Sequence, residues 1–264
     1  MVEGLAELTQ DTLLGGRVRL LQPARGHRAG TDAVLLAAAA PAGAGDLVLD
    51  VGAGTGAVGL MIASRLPVSL VLVERDPALA ELCRQNAALN GIEAAVACAD
   101  VLDPAARRRA GLAAGSAALV VTNPPFLEEG GVRSSPDAAR AAAHVLPRGG
   151  LLGWLRACAS LLKPGGRLAL IHRAERVGEC LQGLDRGFGG CCLRFVHPRA
   201  DRPAIRVLIT AVKGSRAPPS VAPPVVLHDG SGRFTPLAEA LHRGAAVLAG
   251  EIRSPNGKGA PRGA

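Results

Sequence analysis

Between residues 47 and 212, short unbroken apolar runs alternate with longer segments of mixed polarity. Leu47-Val48-Leu49-Asp50-Val51, residues 69–74, residues 94–99 and Ala117-Ala118-Leu119-Val120-Val121 each read as a strand buried on both faces. Helical stretches fall between them at 58–66 and 77–90. The second has Pro77 in its first turn and Gly91 just past its end. This alternation predicts an α/β fold with a mostly parallel sheet covered on both faces. Further on, a helix is expected over 151–162, a strand over 167–172, a helix over 174–186 and strands over 191–197 and 205–212. The turn at 199–202 is too short for a helical crossover, so the last two strands should pair antiparallel.

The flanks are less regular. The end of 15–22 alternates and predicts a short strand or hairpin. A basic loop follows over 22–30, then a helix over 33–40, N-capped by Thr31 or Asp32 and stopped at Pro41. The paired prolines within 217–224 suggest an extended linker. One more helix is expected within 234–249, and disorder over 254–264. The chain thus divides into an N-terminal segment, 1–45, a main domain, 46–213, and a C-terminal portion, 214–264, of linker, short helix and tail.

Candidate chemistry sits at the strand ends. After the 117–121 run comes Thr122-Asn123-Pro124-Pro125-Phe126. The prolines end the strand and keep the preceding backbone extended. An amide oxygen, a backbone carbonyl and an aromatic face are then offered together, which suits a flat heteroaromatic ring with an exocyclic NH2. After the first strand comes Asp50-Val51-Gly52-Ala53-Gly54-Thr55-Gly56, where glycines allow close backbone approach to a ligand. Glu74, about 20 residues on, is placed to hold ribose hydroxyls. Asp100 ends the third strand, where it could accept from an adenine amino group. Gly54-Thr55-Gly56-Ala57-Val58-Gly59 also fits a dinucleotide fingerprint. Against a nicotinamide cofactor, Asp50 would repel a pyrophosphate but could receive an ammonium group, and Asn-Pro-Pro-Phe has no role in hydride transfer.

Composition adds a partner. The 264 residues carry a net charge of +8, and 48% are hydrophobic. The charge favours a polyanion, nucleic acid before membrane. Arg107-Arg108-Arg109 form a cluster, and Arg133, Arg140 and Arg148 follow the Asn-Pro-Pro-Phe stretch as candidate RNA contacts. Tyr is absent and there are one Trp and four Phe, so Phe126 is a prominent stacking candidate. None of the six Cys forms C-x-x-C, so no metal or disulfide framework is expected. Neither a signal peptide nor a membrane span is legible, and the expectation is a soluble cytoplasmic protein.

Taken together, Asp50-x-Gly52-x-Gly54-x-Gly56, Glu74, Asp100-Val101 and Asn123-Pro124-Pro125-Phe126 resemble the motifs of class I S-adenosylmethionine-dependent methyltransferases acting on amino groups. The resemblance covers about 46–212. The segment Gln22-Pro23-x-x-Gly26-x-Arg28-x-Gly30-Thr31-Asp32 further resembles the tRNA adenine-N6 methyltransferase group, whose characterised members modify a purine beside the anticodon. The resemblance implies a Rossmann-like, seven-stranded sheet with a reversed last strand and S-adenosylmethionine as cofactor. It implies that Asp50, Gly52, Gly54 and Gly56 hold the methionine moiety, Glu74 the ribose, and Asp100 with Val101 the adenine. Gln22 and Arg28 would approach the methionine carboxylate. Asn123 and the Pro124 carbonyl would grip the target NH2, Pro125 completes the turn, and Phe126 would stack on the base. The stretch after Phe126 departs from the family: it is Ala-rich, and Arg140-Ala141-Ala142-Ala143-His144 matches the family's basic-acidic stretch only loosely. Rival readings are glutamine methylation of a release factor, RNA guanine-N2 methylation, and a non-catalytic RNA- or nucleotide-binding protein.

Overall fold

A computed structural model describes residues 7–25, 28–125, 127–128, 145–146, 150–185 and 187–248. It opens with an antiparallel hairpin, β1 (Leu8–Leu13) and β2 (Val18–Pro23). Then come α1 (Thr31–Ala39), β3 (Leu47–Val51), α2 (Ala57–Ala63), β4 (Ser69–Glu74), α3 (Pro77–Leu89), β5 (Ala94–Cys98), α4 (Pro104–Arg109) and β6 (Ala117–Thr122). A short parallel pair, β7 (Leu127–Glu128) and β8 (Val145–Leu146), precedes α5 (Gly150–Leu161), β9 (Leu162–Arg173), α6 (Val177–Leu184), β10 (Phe188–His197) and β11 (Arg206–Lys213). The chain continues through β12 (Ser220–Val221), β13 (Val225–Val226) and α7 (Pro236–His242).

The main sheet has the order β12-β10-β11-β9-β6-β3-β4-β5, with β13 also on β10. β3, β4, β5, β6 and β9 run parallel, and β11 runs antiparallel to both β9 and β10, as the short 199–202 turn requires. The sheet holds nine strands rather than seven. The two extra ones come from the segment expected to be an extended linker: it is extended, but β12 and β13 pair parallel with β10 at the sheet edge.

Side chains on the central strands alternate between two cores. Val48, Leu119, Val121, Ala169 and Ile171 face α1 and α2 on one side. Leu49, Val51, Val120, Leu168 and Leu170 face α5 and α6 on the other. The first core also takes in Val18 and Leu20 of the hairpin and Leu227, Ala238 and Leu241 near the end of the described chain. Both flanking segments are therefore built onto the same hydrophobic layer as the sheet.

Three local expectations change. Gly30, not Thr31 or Asp32, occupies the N-cap of α1, and no side chain caps it. Asp32 instead accepts from Arg206 Nε at 2.9 Å, and Thr31 Oγ1 lies 3.3 Å from His242 Nε2. The arginine cluster forms the last turn of α4, a helix not expected from the sequence and capped by Asp103. Arg107 there donates to Ser160 Oγ at 2.6 Å. Finally, residues 163–166, between the helix expected over 151–162 and the strand expected over 167–172, belong to β9, where a register shift against β6 absorbs them.

Candidate active site

The C-terminal ends of β3, β4 and β6, and the residues just after β5, open on one cavity of about 430 Å³. That volume lies within the range of small-molecule sites. Gly52, Gly54, Glu74, Asp100, Val101 and Asn123 all line it, as do Asp50, Pro124, Pro125 and Arg28. Residues separated by more than 70 positions are brought together because the parallel strands all end on the same edge of the sheet.

The loop after β3 needs its glycines. Gly52 has φ +74°, Gly54 +58° and Gly56 +87°, a region that favours glycine. A Cβ on Gly52 would also stand 3.0 Å from Trp154 Cζ2. The Gly52 and Ala53 amides donate to the Val73 carbonyl at 2.9 and 3.0 Å, which ties the loop to β4.

Two carboxylates define the floor. Asp50 is 2% exposed and its Oδ2 accepts from the Gly59 amide at 2.8 Å. Burial pushes its carboxyl up to about 7; the Gly59 N–H opposes this and the charge of Glu74 adds to it. Glu74, also buried, accepts from Gly54 N at 2.8 Å, Arg75 N at 2.8 Å and Asp76 N at 2.9 Å. Burial raises its pKa and those three N–H donors oppose the rise. Asp100 Oδ1 accepts from Leu102 N at 2.8 Å, holding the turn that brings Val101 to the cavity.

At the end of β6, the strand next to β3, Asn123 stands out. Its Oδ1 is buried and has no hydrogen-bond partner among the described residues. A buried unpaired amide oxygen costs about 1–3 kcal/mol, and this one lines the cavity. The residue before it is pinned: Thr122 Oγ1 donates to the Val51 carbonyl at 2.8 Å and accepts from Trp154 Nε1 at 2.9 Å. Trp154, only 5% exposed, lines the cavity from α5 and fills the space over Gly52. Its only legible mark in the sequence is that it is the single Trp.

Gln22 is not brought to the cavity. It is 1% exposed, donates Nε2 to Asp11 Oδ2 at 2.8 Å and accepts at Oε1 from Ala29 N at 2.7 Å. It anchors the loop that carries Arg28. Arg28 pairs with Asp11 and donates to Thr9 Oγ1 at 2.8 Å and the Pro23 carbonyl at 3.0 Å. Phe126, Arg133, Arg140 and Arg148 lie outside the described residues. Among the described residues, no His, Cys, Asp and Glu cluster could hold a metal ion, and no helix is long and apolar enough to cross a membrane.

These features fit S-adenosylmethionine: a cavity of suitable size, a glycine-rich loop, and two buried carboxylates at the ends of β3 and β4.

Residues 28–193 match the methyltransferase small domain. A protein of Aeromonas hydrophila named tRNA1(Val) (adenine(37)-N6)-methyltransferase is 33% identical over 213 residues, covering 79% of this chain and 85% of that protein. One of the same name from Porphyromonas gingivalis is 38% identical over 159 residues, 58% of this chain and 61% of that protein. A crystal structure from Agrobacterium tumefaciens, described as a predicted O-methyltransferase, superposes with a TM-score of 0.69 at 33% identity, covering 83% of this chain and 99% of that one. The Thermus thermophilus 16S rRNA N2 G1207 methyltransferase, solved with AdoMet and guanosine, has the same fold, with a TM-score of 0.54 at 21% identity, over 81% of this chain and 52% of that one. This chain belongs to the methyltransferase small domain family of S-adenosylmethionine-dependent enzymes, in the group whose relatives are named tRNA1(Val) (adenine(37)-N6)-methyltransferase.

Proposed function

We propose that the protein transfers a methyl group from S-adenosylmethionine to N6 of an adenine in tRNA. The observation that carries this reading is Asn123 Oδ1, a buried acceptor beside Pro124 on the cavity wall with no partner among the described residues. The names of the relatives support the RNA and the base.

S-adenosylmethionine supplies an electrophilic methyl group on a positively charged sulfur. The chain's own residues prepare the acceptor. An arylamine nitrogen is a weak nucleophile because its lone pair is delocalised into the ring. With its two hydrogens accepted by Asn123 Oδ1 and the Pro124 carbonyl, electron density on nitrogen rises and the lone pair is aimed at the cofactor. Position and fixed dipoles then do most of the catalysis. No general base is needed, since the alkylated nitrogen is acidic and gives its proton to water. A purine in a single-stranded loop is also easier to unstack than one in a duplex.

A hydroxyl acceptor, as the description of the Agrobacterium protein suggests for that protein, has one hydrogen to offer and would leave one of the two oxygens idle. The test is incubation of the full chain with methyl-labelled S-adenosylmethionine and, separately, total tRNA, ribosomal RNA or release factor. Label in tRNA is expected. Label only in release factor or ribosomal RNA would overturn the reading.

A further inference from the structure

We propose that Asn86 is a positioning residue for S-adenosylmethionine: its side-chain amide joins the N-terminal hairpin to the glycine loop, so that both walls of the cavity are held as one unit. The inference concerns cofactor binding and does not depend on which acceptor is methylated.

Asn86 lies on α3 and is fully buried. Its Oδ1 accepts from the Leu21 amide at 2.7 Å, and its Nδ2 donates to the Leu21 carbonyl at 3.0 Å. The second Nδ2 hydrogen goes to the Thr55 carbonyl at 2.9 Å, inside the glycine loop. One side chain thus replaces a neighbouring strand for β2 and also grips the loop that lines the cavity. From Leu21 the connection runs on through the chain. Gln22 holds the Ala29 amide, and the Pro23 carbonyl accepts from Arg28, so the basic segment on the far wall is fixed to the same strand. A buried amide with every polar atom satisfied specifies a unique arrangement, and losing it strands several groups at once.

The C-cap of α3 supplies a built-in comparison. Asn90 treats Arg19 in the same way: Oδ1 accepts from Arg19 N at 2.8 Å and Nδ2 donates to Arg19 O at 2.6 Å. Its other Nδ2 bond goes to the Asn86 carbonyl at 2.7 Å, within the helix, and not to the glycine loop. Asn90 therefore clamps the hairpin without touching the cofactor side.

The experiment compares Asn86→Ala and Asn90→Ala in the full chain. Emission of Trp154, the only Trp, on the cavity wall, is titrated with S-adenosylmethionine. Both variants lose hairpin contacts and melt earlier. Asn86→Ala is expected to weaken cofactor binding about tenfold, and Asn90→Ala by less than about twofold. In turnover, the KM for S-adenosylmethionine rises in Asn86→Ala more than kcat falls. Should Asn86→Ala not fold, hydrogen exchange on the unaltered protein decides. Coupling is reciprocal, so adding S-adenosylmethionine must protect the Leu21 amide more than the Arg19 amide. Equal weakening in the two variants, no weakening in either, or protection no greater at Leu21 than at Arg19 overturns the proposal.

Discussion

Thr122→Val removes one hydroxyl at nearly constant volume, and its consequences can be worked through atom by atom. Thr122 is fully buried, so no water can stand in for the lost group. Trp154 Nε1–H loses its acceptor at 2.9 Å, and the Val51 carbonyl loses a donor at 2.8 Å. Leaving a buried donor unsatisfied costs about 1–3 kcal/mol. At roughly 2–4 °C per kcal/mol for a domain of this size, the melting temperature should fall by about 2–12 °C. The functional effect comes from position. Thr122 directly precedes Asn123, and the indole it holds lies against Gly52, where even a Cβ would be 3.0 Å from Cζ2. Freed, the indole no longer sets the spacing between the two loops. Misplacement by 1 Å can cost about a hundredfold in rate, so kcat should fall by about tenfold or more. Thr122→Ser keeps the hydroxyl and should recover most of it. Thermal melting, Trp154 emission and kcat at saturating substrates are the assays. An unchanged melting temperature with unshifted emission in Thr122→Val, or a Ser variant as impaired as the Val variant, would show that the Thr122 hydroxyl does not hold the indole in place.

Four other outcomes are expected. Because the folded pKa of Asp50 is raised from 3.8 to about 7, this carboxyl lowers stability progressively as pH climbs from about 4 to about 7, and fully above that; Asp50→Asn should abolish that slope in melting experiments, and a slope retained in the variant would assign it elsewhere. If the Asp50 carboxylate receives the cofactor's ammonium, cofactor affinity measured by calorimetry should rise through the same range in the unaltered protein and lose that rise in Asp50→Asn. Asn123→Ala should abolish methyl transfer while leaving the cofactor Kd close to that of the unaltered protein; equal loss of both would mean that the two sites are misassigned. Gly59→Ala places a Cβ 2.7 Å from Leu72 Cδ2 and 2.8 Å from Leu70 Cδ1 in the core, so overpacking should cost about 1–3 kcal/mol in chemical denaturation, and no loss would show that α2 can move off the sheet.

What could be read from the sequence was what local pattern encodes. Continuous apolar runs marked β3, β4 and β6, and the residues at or just past their ends, Gly52, Glu74 and Asn123, were recognisable because strand ends in such sheets share one edge. The features that escaped depend on distant partners. β12 and β13 are two-residue strands in a proline-rich stretch, and only pairing with β10 makes them strands. α4 is six residues long, too short for an apolar period, and its three arginines read as a charge cluster instead of a final helical turn. Gln22 sits in a segment resembling a binding motif, yet its partners Asp11 and Ala29 turn it inward. Trp154 reaches the site only through the packing of α5 beneath β3 and β6, so no spacing along the chain connects it to Gly52 or Thr122.

In the proposed reaction the cavity presents an exocyclic amino group of adenine in tRNA to the methyl of S-adenosylmethionine, with Asn123 as the hydrogen-bond acceptor for that amino group. The most direct measurement is nucleoside analysis of tRNA labelled by the unaltered protein and by Asn123→Ala. N6-methyladenosine is expected as the labelled nucleoside in the first digest and none in the second. Labelled N2-methylguanosine or a ribose-methylated nucleoside, or N6-methyladenosine formed equally well by Asn123→Ala, would contradict it.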